Sequence, residues 1–159
     1  MARLSRRFAA TVTAFVAVAL IAGCGGGTST KDKNAYARDV NAAQQRFATT
    51  VSTVAQQTGK GNSIRQQQRT LQRFATASGG VVKELNGIDP PSEVAQEHQK
   101  LTAVMTGFGK AISQANDAMR NPTPTRIETA QRDVATATQS VNARVSAAIA
   151  AINAKLRGK

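Results

Sequence analysis

Few residues in this sequence have side chains suited to catalysis or metal binding. The chain of 159 residues holds one cysteine, Cys24, and one histidine, His98, too few for a disulfide or a Cys/His zinc site. Glu93 and Glu97 lie four residues apart, which places both on one helix face, but a first helical turn favours such acids through its dipole. No nucleophile with its base, carboxylate pair or metal cluster assembles. We expect neither enzymatic activity nor a cofactor.

His98 raises the alternative of a haem site, because some helical bundles hold cofactors in their cores. Met105 and Met119 belong to the same predicted helix as His98, whereas a six-coordinate haem takes ligands from opposite faces. The attachment motif C-x-x-C-H is also absent. We therefore predict that His98 is a partly buried structural residue. A bundle that carries haem or a small apolar ligand remains the alternative.

Positive charge is the strongest remaining chemical feature. Lys and Arg number 21 against 9 Asp and Glu, a formal net charge of +12. Arg65, Arg69 and Arg73 recur at four-residue steps, on a ridge nearly opposite Leu71 and Phe74. We predict that this exposed ridge binds anionic lipids, wall polymers or an acidic envelope protein, with an ordinary solubilising face as the alternative. Nucleic acid is not expected, because no groove-reading motif or stacking aromatic accompanies the arginines.

The first 23 residues have the composition of a secretory signal peptide. A basic start is followed by an acid-free apolar run over residues 8–22, and the run ends in small residues. The run has about 15 apolar or small residues, short of the ~20 that a spanning helix needs. We therefore expect cleavage, which removes Arg3, Arg6 and Arg7 and lowers the net charge from +12 to +9.

Ile21-Ala22-Gly23-Cys24 resembles the lipobox of bacterial lipoproteins. The resemblance implies cleavage between Gly23 and Cys24 and attachment of a diacylglycerol to the Cys24 thiol. Two or three acyl chains anchor a protein stably where one binds only marginally. The expected location is the extracytoplasmic side of the cell membrane, to which Cys24 attaches the chain.

The rest of the chain divides into a tether and a folded domain. Residues 24–31, with three consecutive glycines, are predicted to form a flexible tether. Residues 32–159 are predicted to form a helical domain. Within it, residues 85–101, with Pro90-Pro91 and His98, resemble a helix-turn-helix segment of small lipoproteins of actinobacterial type, which implies a helical module and no particular activity.

Apolar residues at three- and four-residue steps predict four amphipathic helices. The first covers 32–58, the second begins after Ser63, the third covers about 91–120, and the fourth carries Ile127 to Leu156. Short Gly or Pro connections favour an all-α, antiparallel up-down four-helix bundle, with a coiled-coil oligomer as the alternative use of the same heptads. The predicted caps and breaks are Ser63 with Gln66, Asn86-Gly87, Asp89 or Ser92, Thr125 with Glu128, and a kink or break at Gly79-Gly80.

These observations predict a lipid-anchored extracytoplasmic protein that acts as a non-enzymatic binding or structural module at the cell envelope.

Overall fold

The computed structural model describes residues 28–58 and 63–158, and within residues 54–58 it describes the backbone only. Several predicted features lie outside the described residues. They are the signal peptide over 1–23, the cleavage site after Gly23, the lipidated Cys24 and residues 24–27 of the predicted tether.

The described residues form an all-α structure, as predicted, with four α-helices and no strand. Helices α1 (Thr30–Thr58), α2 (Ile64–Asn86), α3 (Ala95–Ala118) and α4 (Pro124–Leu156) follow one another, and a short 3-10 turn, Ser92–Val94, precedes α3. Each helix packs against the next one along the chain. No helix in the described ranges is long and apolar enough to cross a bilayer.

Helix α2 begins and ends where the sequence predicts. The Ser63 hydroxyl oxygen accepts a hydrogen bond from the Gln66 amide at 3.3 Å, so the Ser63 half of the predicted capping box is present. At the other end, the Gly87 amide donates to the carbonyl oxygens of Lys83 and Glu84 at 3.2 and 3.0 Å. These bonds satisfy polar groups that a helix terminus otherwise leaves unpaired.

Asp89 and Ser92, predicted to lie near the cap of the third helix, do not cap it with their side chains, and Pro91 stands at the cap position. The chain enters α3 through the 3-10 turn, which is closed by a hydrogen bond from the Val94 amide to the Pro91 carbonyl at 2.9 Å. Pro91 fixes φ near −51°, which starts the turn without a side-chain cap. The Ser92 hydroxyl donates instead to Glu93 at 3.3 Å.

The predicted capping box of Thr125 with Glu128 is also wrong, because α4 begins two residues earlier. Thr123 is the cap, and its hydroxyl oxygen accepts from the Arg126 amide at 3.3 Å. Pro124 occupies the first helical position, where a missing N–H costs nothing and a fixed φ suits the helix.

The expected break at Gly79-Gly80 does not occur, and α2 runs unbroken from Ile64 to Asn86. Each glycine costs about 1 kcal/mol relative to alanine in a helix interior. Ser78, Val81 and Leu85 are buried on either side of the pair. Their packing holds this stretch of α2 in place and outweighs that cost.

Helix α1 starts at Thr30, two residues before the predicted boundary. Ser29 and Asp32 form a reciprocal cap: the Ser29 hydroxyl donates to the Asp32 carboxylate at 2.7 Å, and the Asp32 amide donates to the Ser29 oxygen at 3.2 Å. Residues 30 and 31, predicted to belong to the tether, are therefore helical.

The predicted apolar stripes form the core in two clusters. The larger cluster joins side chains of all four helices, and the smaller one joins α2, α3 and α4 among the described side chains. Ile64, predicted on the apolar face of α2, is 39% exposed at the end of its helix. The largest fully buried side chains are Leu85, Leu101, Ile112, Ile149 and Ile152.

Candidate functional site

A groove of about 840 Å³ lies between α1 and α2. Its α1 wall comes from residues 43–53 and its α2 wall from residues 69–84. Apolar side chains contributed by both helices meet threonines, glutamine and arginines along it. The apolar members of the lining are Ala43, Phe47, Ala77 and Val81, and the polar members are Arg46, Thr49, Thr50, Thr53, Arg69, Gln72, Arg73, Thr76 and Glu84.

The local sequence explains why the groove stays open. Gly80 lines it without a side chain, and a Cβ added there would meet nothing within 4 Å. On the opposite wall, the Thr50 and Thr53 hydroxyls donate to carbonyl oxygens one turn earlier in α1, both at 2.9 Å. These two hydroxyl protons are used within α1, so the donors available to a ligand come from the arginines, Gln72 and the other two threonines, Thr49 and Thr76.

The arginines divide the groove into two electrostatically different ends. At one end, Arg46 Nε lies 3.0 Å from Glu84 Oε2, so the two charges offset each other. Arg69 and Arg73 line the groove further toward the start of α2, and Arg69 makes no ion pair within the described ranges. Positive charge is therefore concentrated at the Arg69 end.

A second, smaller depression of about 250 Å³ adjoins the groove and shares Arg69 and Arg73 with it. Gln66 and Thr70 complete its lining, which is entirely polar. Arg65 is exposed like the other two arginines of the predicted ridge but lines neither depression. The structure thus brings two of the three predicted anion-binding residues together and leaves the third apart.

His98 is a structural residue and is more deeply buried than predicted, with 6% exposure. Its Nε2 donates to the Leu85 carbonyl oxygen at 3.0 Å, because a carbonyl can only accept. Its Nδ1 then accepts from the Tyr36 hydroxyl at 3.2 Å. Burial lowers the pKa of His98 and the Leu85 bond only partly opposes this, so the ring is neutral.

Glu97, predicted to lie on a solvated first turn, is buried with 4% exposure. Its carboxylate lies 3.3 Å from Lys155 Nζ of α4 and 3.7 Å from Lys100 Nζ. Burial alone raises the pKa of Glu97, but its backbone amide and the two lysines outweigh burial, so the pKa is lowered overall. Burial and, secondarily, the charge of Glu97 raise the pKa of Tyr36.

Glu93 contacts a different set of partners. The Thr28 hydroxyl donates to Glu93 Oε2 at 2.7 Å, and Lys33 Nζ lies 3.3 Å from Oε1. The bond from Thr28, then the Glu93 backbone amide and Lys33, lower the pKa of Glu93 to about 2. Glu93 and Glu97 are therefore engaged separately rather than as an acid and base pair.

Among the described residues, no group of three or more His, Cys, Asp or Glu side chains could hold a metal ion. The sequence matches no protein-family model, no curated protein and no solved structure.

The sequence predicts Arg69 and Arg73 on an exposed ridge of α2, which is where they lie, but it does not indicate the groove or that Arg46, Phe47 and Glu84 line it. The Arg46–Glu84 pair joins residues 38 positions apart. Arg46 and Glu84 meet only because of how α1 and α2 are aligned along each other. Periodicity within one helix does not predict that alignment. The local sequence signal for a polar groove wall is the cluster of threonines in α1, Thr49, Thr50 and Thr53, together with Gly80 in α2.

Proposed function

We propose that this chain is a lipid-anchored extracytoplasmic helical bundle that acts as a non-enzymatic binding module and meets an anionic partner at the cell envelope. The observation that carries the proposal is the concentration of exposed positive charge, Arg69 and Arg73, along a groove. Arginine presents several donors in a planar fork, which suits carboxylate and phosphate groups. The successive helix contacts and short connections support an antiparallel up-down arrangement.

The anchor rests on the basic start, the apolar run and the lipobox ending in Cys24. The contacts of Thr28 with Glu93 and of Lys33 with Glu93 add a spatial argument. They hold the chain close behind Cys24 against the start of α3, so this end of the bundle is the one nearest the membrane in the proposal. At ~1.5 Å per helical residue, Phe47 lies ~25 Å along α1 from Thr30.

The anchor is tested by replacing Cys24 with Ala. Metabolic labelling with a radioactive fatty acid is expected to disappear, and the intact mass is expected to lose the acyl chains. Persistent labelling of the Cys24→Ala chain at an unchanged mass would reject Cys24 as the acceptor.

The anionic partner is tested with the full chain held in phosphatidylcholine nanodiscs and mixed with phosphatidylglycerol vesicles across a salt series. Replacing Arg65, Arg69 and Arg73 together with Gln is expected to reduce co-sedimentation with the vesicles and its salt dependence. The matched control replaces three exposed α4 arginines, Arg126, Arg132 and Arg144, with Gln, which changes the net charge equally. Equal losses in both triple variants would attribute binding to net charge and refute the proposal.

A haem-binding bundle draws no support from His98, because both ring nitrogens are engaged by Tyr36 and Leu85. Haem ligation would require breaking at least one of these buried bonds, at a cost of about 1–3 kcal/mol for the group left unpaired. The apolar lining of the groove, in contrast, favours an apolar component in the ligand.

A further inference from the structure

The two adjoining depressions differ in chemistry and meet at the same two residues. The smaller one is lined by polar side chains alone, and the larger one carries the apolar Phe47, Ala77 and Val81. Arg69 and Arg73 belong to both. A ligand that fills both must have an anionic head joined to an apolar tail.

We propose that the groove binds a single-chain anionic amphiphile of the long-chain fatty acid type. Its carboxylate lies between Arg69 and Arg73, and its chain lies along the apolar lining toward Val81. This inference rests on the proposed function, since it names the class of anionic partner that the groove takes.

The charge distribution fixes the direction of the ligand. Arg69 and Arg73 supply charge-assisted hydrogen bonds to a carboxylate, and Gln66 adds an amide donor nearby. At the far end, Glu84 offsets Arg46 at 3.0 Å, so that end does not attract a second anionic group. A ligand with one charged end and one apolar end matches this asymmetry, whereas an acidic peptide would need positive charge along the whole groove.

The dimensions suit an extended acyl chain. Residues 69 to 84 of α2 span ~22 Å at ~1.5 Å per residue, and ~15 Å of this length separates residue 71, midway between Arg69 and Arg73, from Val81, so the apolar lining takes part of an extended palmitoyl chain. The volume of about 840 Å³ lies within the range of small-molecule sites. Phe47, Ala43 and Val81 are buried at the base of the groove, and methylenes that contact them leave water favourably.

Two neighbouring glycines provide a matched pair of blocking variants. Gly79 and Gly80 are both helical and exposed, and a Cβ added at either meets nothing within 4 Å. Only Gly80 lines the groove. Gly80→Leu therefore places a side chain in the ligand's path, while Gly79→Leu makes the same chemical change outside it, and both remove the cost of a helical glycine.

The experiment uses the full chain in phosphatidylcholine nanodiscs and a palmitate probe that bears a photoreactive diazirine in its tail. After illumination, cross-linked peptides are mapped by mass spectrometry, with empty nanodiscs as background. We expect cross-links on residues 43–53 and 69–84, competed by unlabelled palmitate. Gly80→Leu is expected to reduce the cross-links about tenfold, which corresponds to a loss of about 1.4 kcal/mol of binding free energy. Gly79→Leu is expected to leave the cross-links unchanged.

The headgroup is tested with Arg69→Gln and Arg73→Gln together, against Arg132→Gln and Arg144→Gln together as the control, which removes the same charge from the exposed face of α4. The double variant is expected to weaken palmitate binding about tenfold, through loss of charge-assisted hydrogen bonds. A diazirine analogue of hexadecanol, which lacks the charge, is expected to label the groove weakly and without sensitivity to the double variant. Equal labelling by palmitate and hexadecanol would overturn the anionic assignment.

Cross-links spread over all helices, or groove cross-links unaffected by Gly80→Leu, would overturn the proposal. Circular dichroism melts of both glycine variants establish that they are folded. Because the nanodisc assay measures cross-links in the groove and not co-sedimentation with vesicles, its failure is distinguishable from failure of the proposed surface-binding role. Equal loss of vesicle binding in both triple-Gln variants, together with intact palmitate labelling of the unsubstituted chain, would reject only the surface-binding role.

Discussion

The two halves of α1 face opposite kinds of environment. Near its start, Tyr36 takes part in a buried hydrogen-bond chain with His98 and Leu85, beside the Glu97–Lys155 pair. We call these five residues the closed end. Further along, the same helix forms one wall of a groove whose polar groups meet solvent. One continuous helix thus contributes both to a buried polar cluster and to an open, charged surface.

The difference shows where stability and binding capacity reside. In the closed end, low local dielectric strengthens each hydrogen bond and makes an unpaired group costly, so the parts depend on one another. In the groove, the exposed Arg69 is solvated whether or not a ligand is present, so replacing it costs the fold little. Mutations should therefore affect folding at the closed end and binding at the groove.

The largest expected effect comes from making the same substitution at a fully buried core position and at an exposed position. Ile152 has 0% exposure and Ile64 has 39%. Ile152→Ala should lower the free energy of unfolding by about 2–5 kcal/mol, through lost burial and the cavity left behind. Ile64→Ala should change it by no more than about 0.5 kcal/mol. Urea titrations followed by circular dichroism give both free energies of unfolding. Similar losses would contradict the difference in burial between Ile152 and Ile64.

Hydroxyl removal gives a second, smaller contrast. Tyr36→Phe leaves His98 Nδ1 buried without its donor, which should cost about 1–3 kcal/mol. Thr50→Val removes an exposed hydroxyl that donates to the Arg46 carbonyl, and should cost less than about 0.5 kcal/mol. Urea titration measures both changes, and NMR of the His98 ring nitrogens reports whether the tautomer is retained. Equal losses of stability in Tyr36→Phe and Thr50→Val would show that the buried hydrogen bonds of the closed end contribute no more than an exposed one.

Replacing helical glycines with alanine should change stability in opposite directions at the packed α2–α3 interface and at an open surface. A Cβ at Gly107 meets nothing within 4 Å, whereas one at Gly109 lies 3.1 Å from the Cβ of the buried Ser78. Gly107→Ala should raise stability by about 1 kcal/mol through helix propensity. Gly109→Ala should lower it by about 1 kcal/mol, because overpacking between α2 and α3 exceeds that gain. Thermal melts measure both, and a stabilised Gly109→Ala would contradict the close packing.

Much of the fold could be predicted from the sequence because core positions are encoded by period. Leu101 and Ile152 recur with other apolar residues at three- and four-residue steps and are buried, since a 3.6-residue repeat directly specifies one helix face. The start of α4 was missed because Thr123 and Thr125 are both plausible caps. Pro124 decides between them by fixing its own φ, a local effect that outweighs the capping-box pattern.

The candidate site was harder to predict because its members come from two helices. The exposure of Arg69 and Arg73 follows from their angle to Leu71 and Phe74. That they share a groove with Phe47 depends on how closely α1 approaches α2. His98 shows the same limit, because its partner Tyr36 is 62 residues away and no spacing rule connects the two.

The smallest expected effect concerns Glu93, at the exposed edge of the closed end. Its pKa in the folded chain is about 2, against an ordinary value of 4.5. A carboxyl group with a depressed folded pKa stabilises the fold fully above its unfolded pKa. That contribution is lost as the pH falls from about 4.5 through about 2.

Glu93→Gln should therefore flatten the pH dependence of the thermal midpoint within this window. Thr28→Val should flatten it partly, because Lys33 still lies beside the carboxylate. An unchanged slope in Glu93→Gln would show that the contact of Thr28 with Glu93 does not hold the start of α1 against α3 in solution.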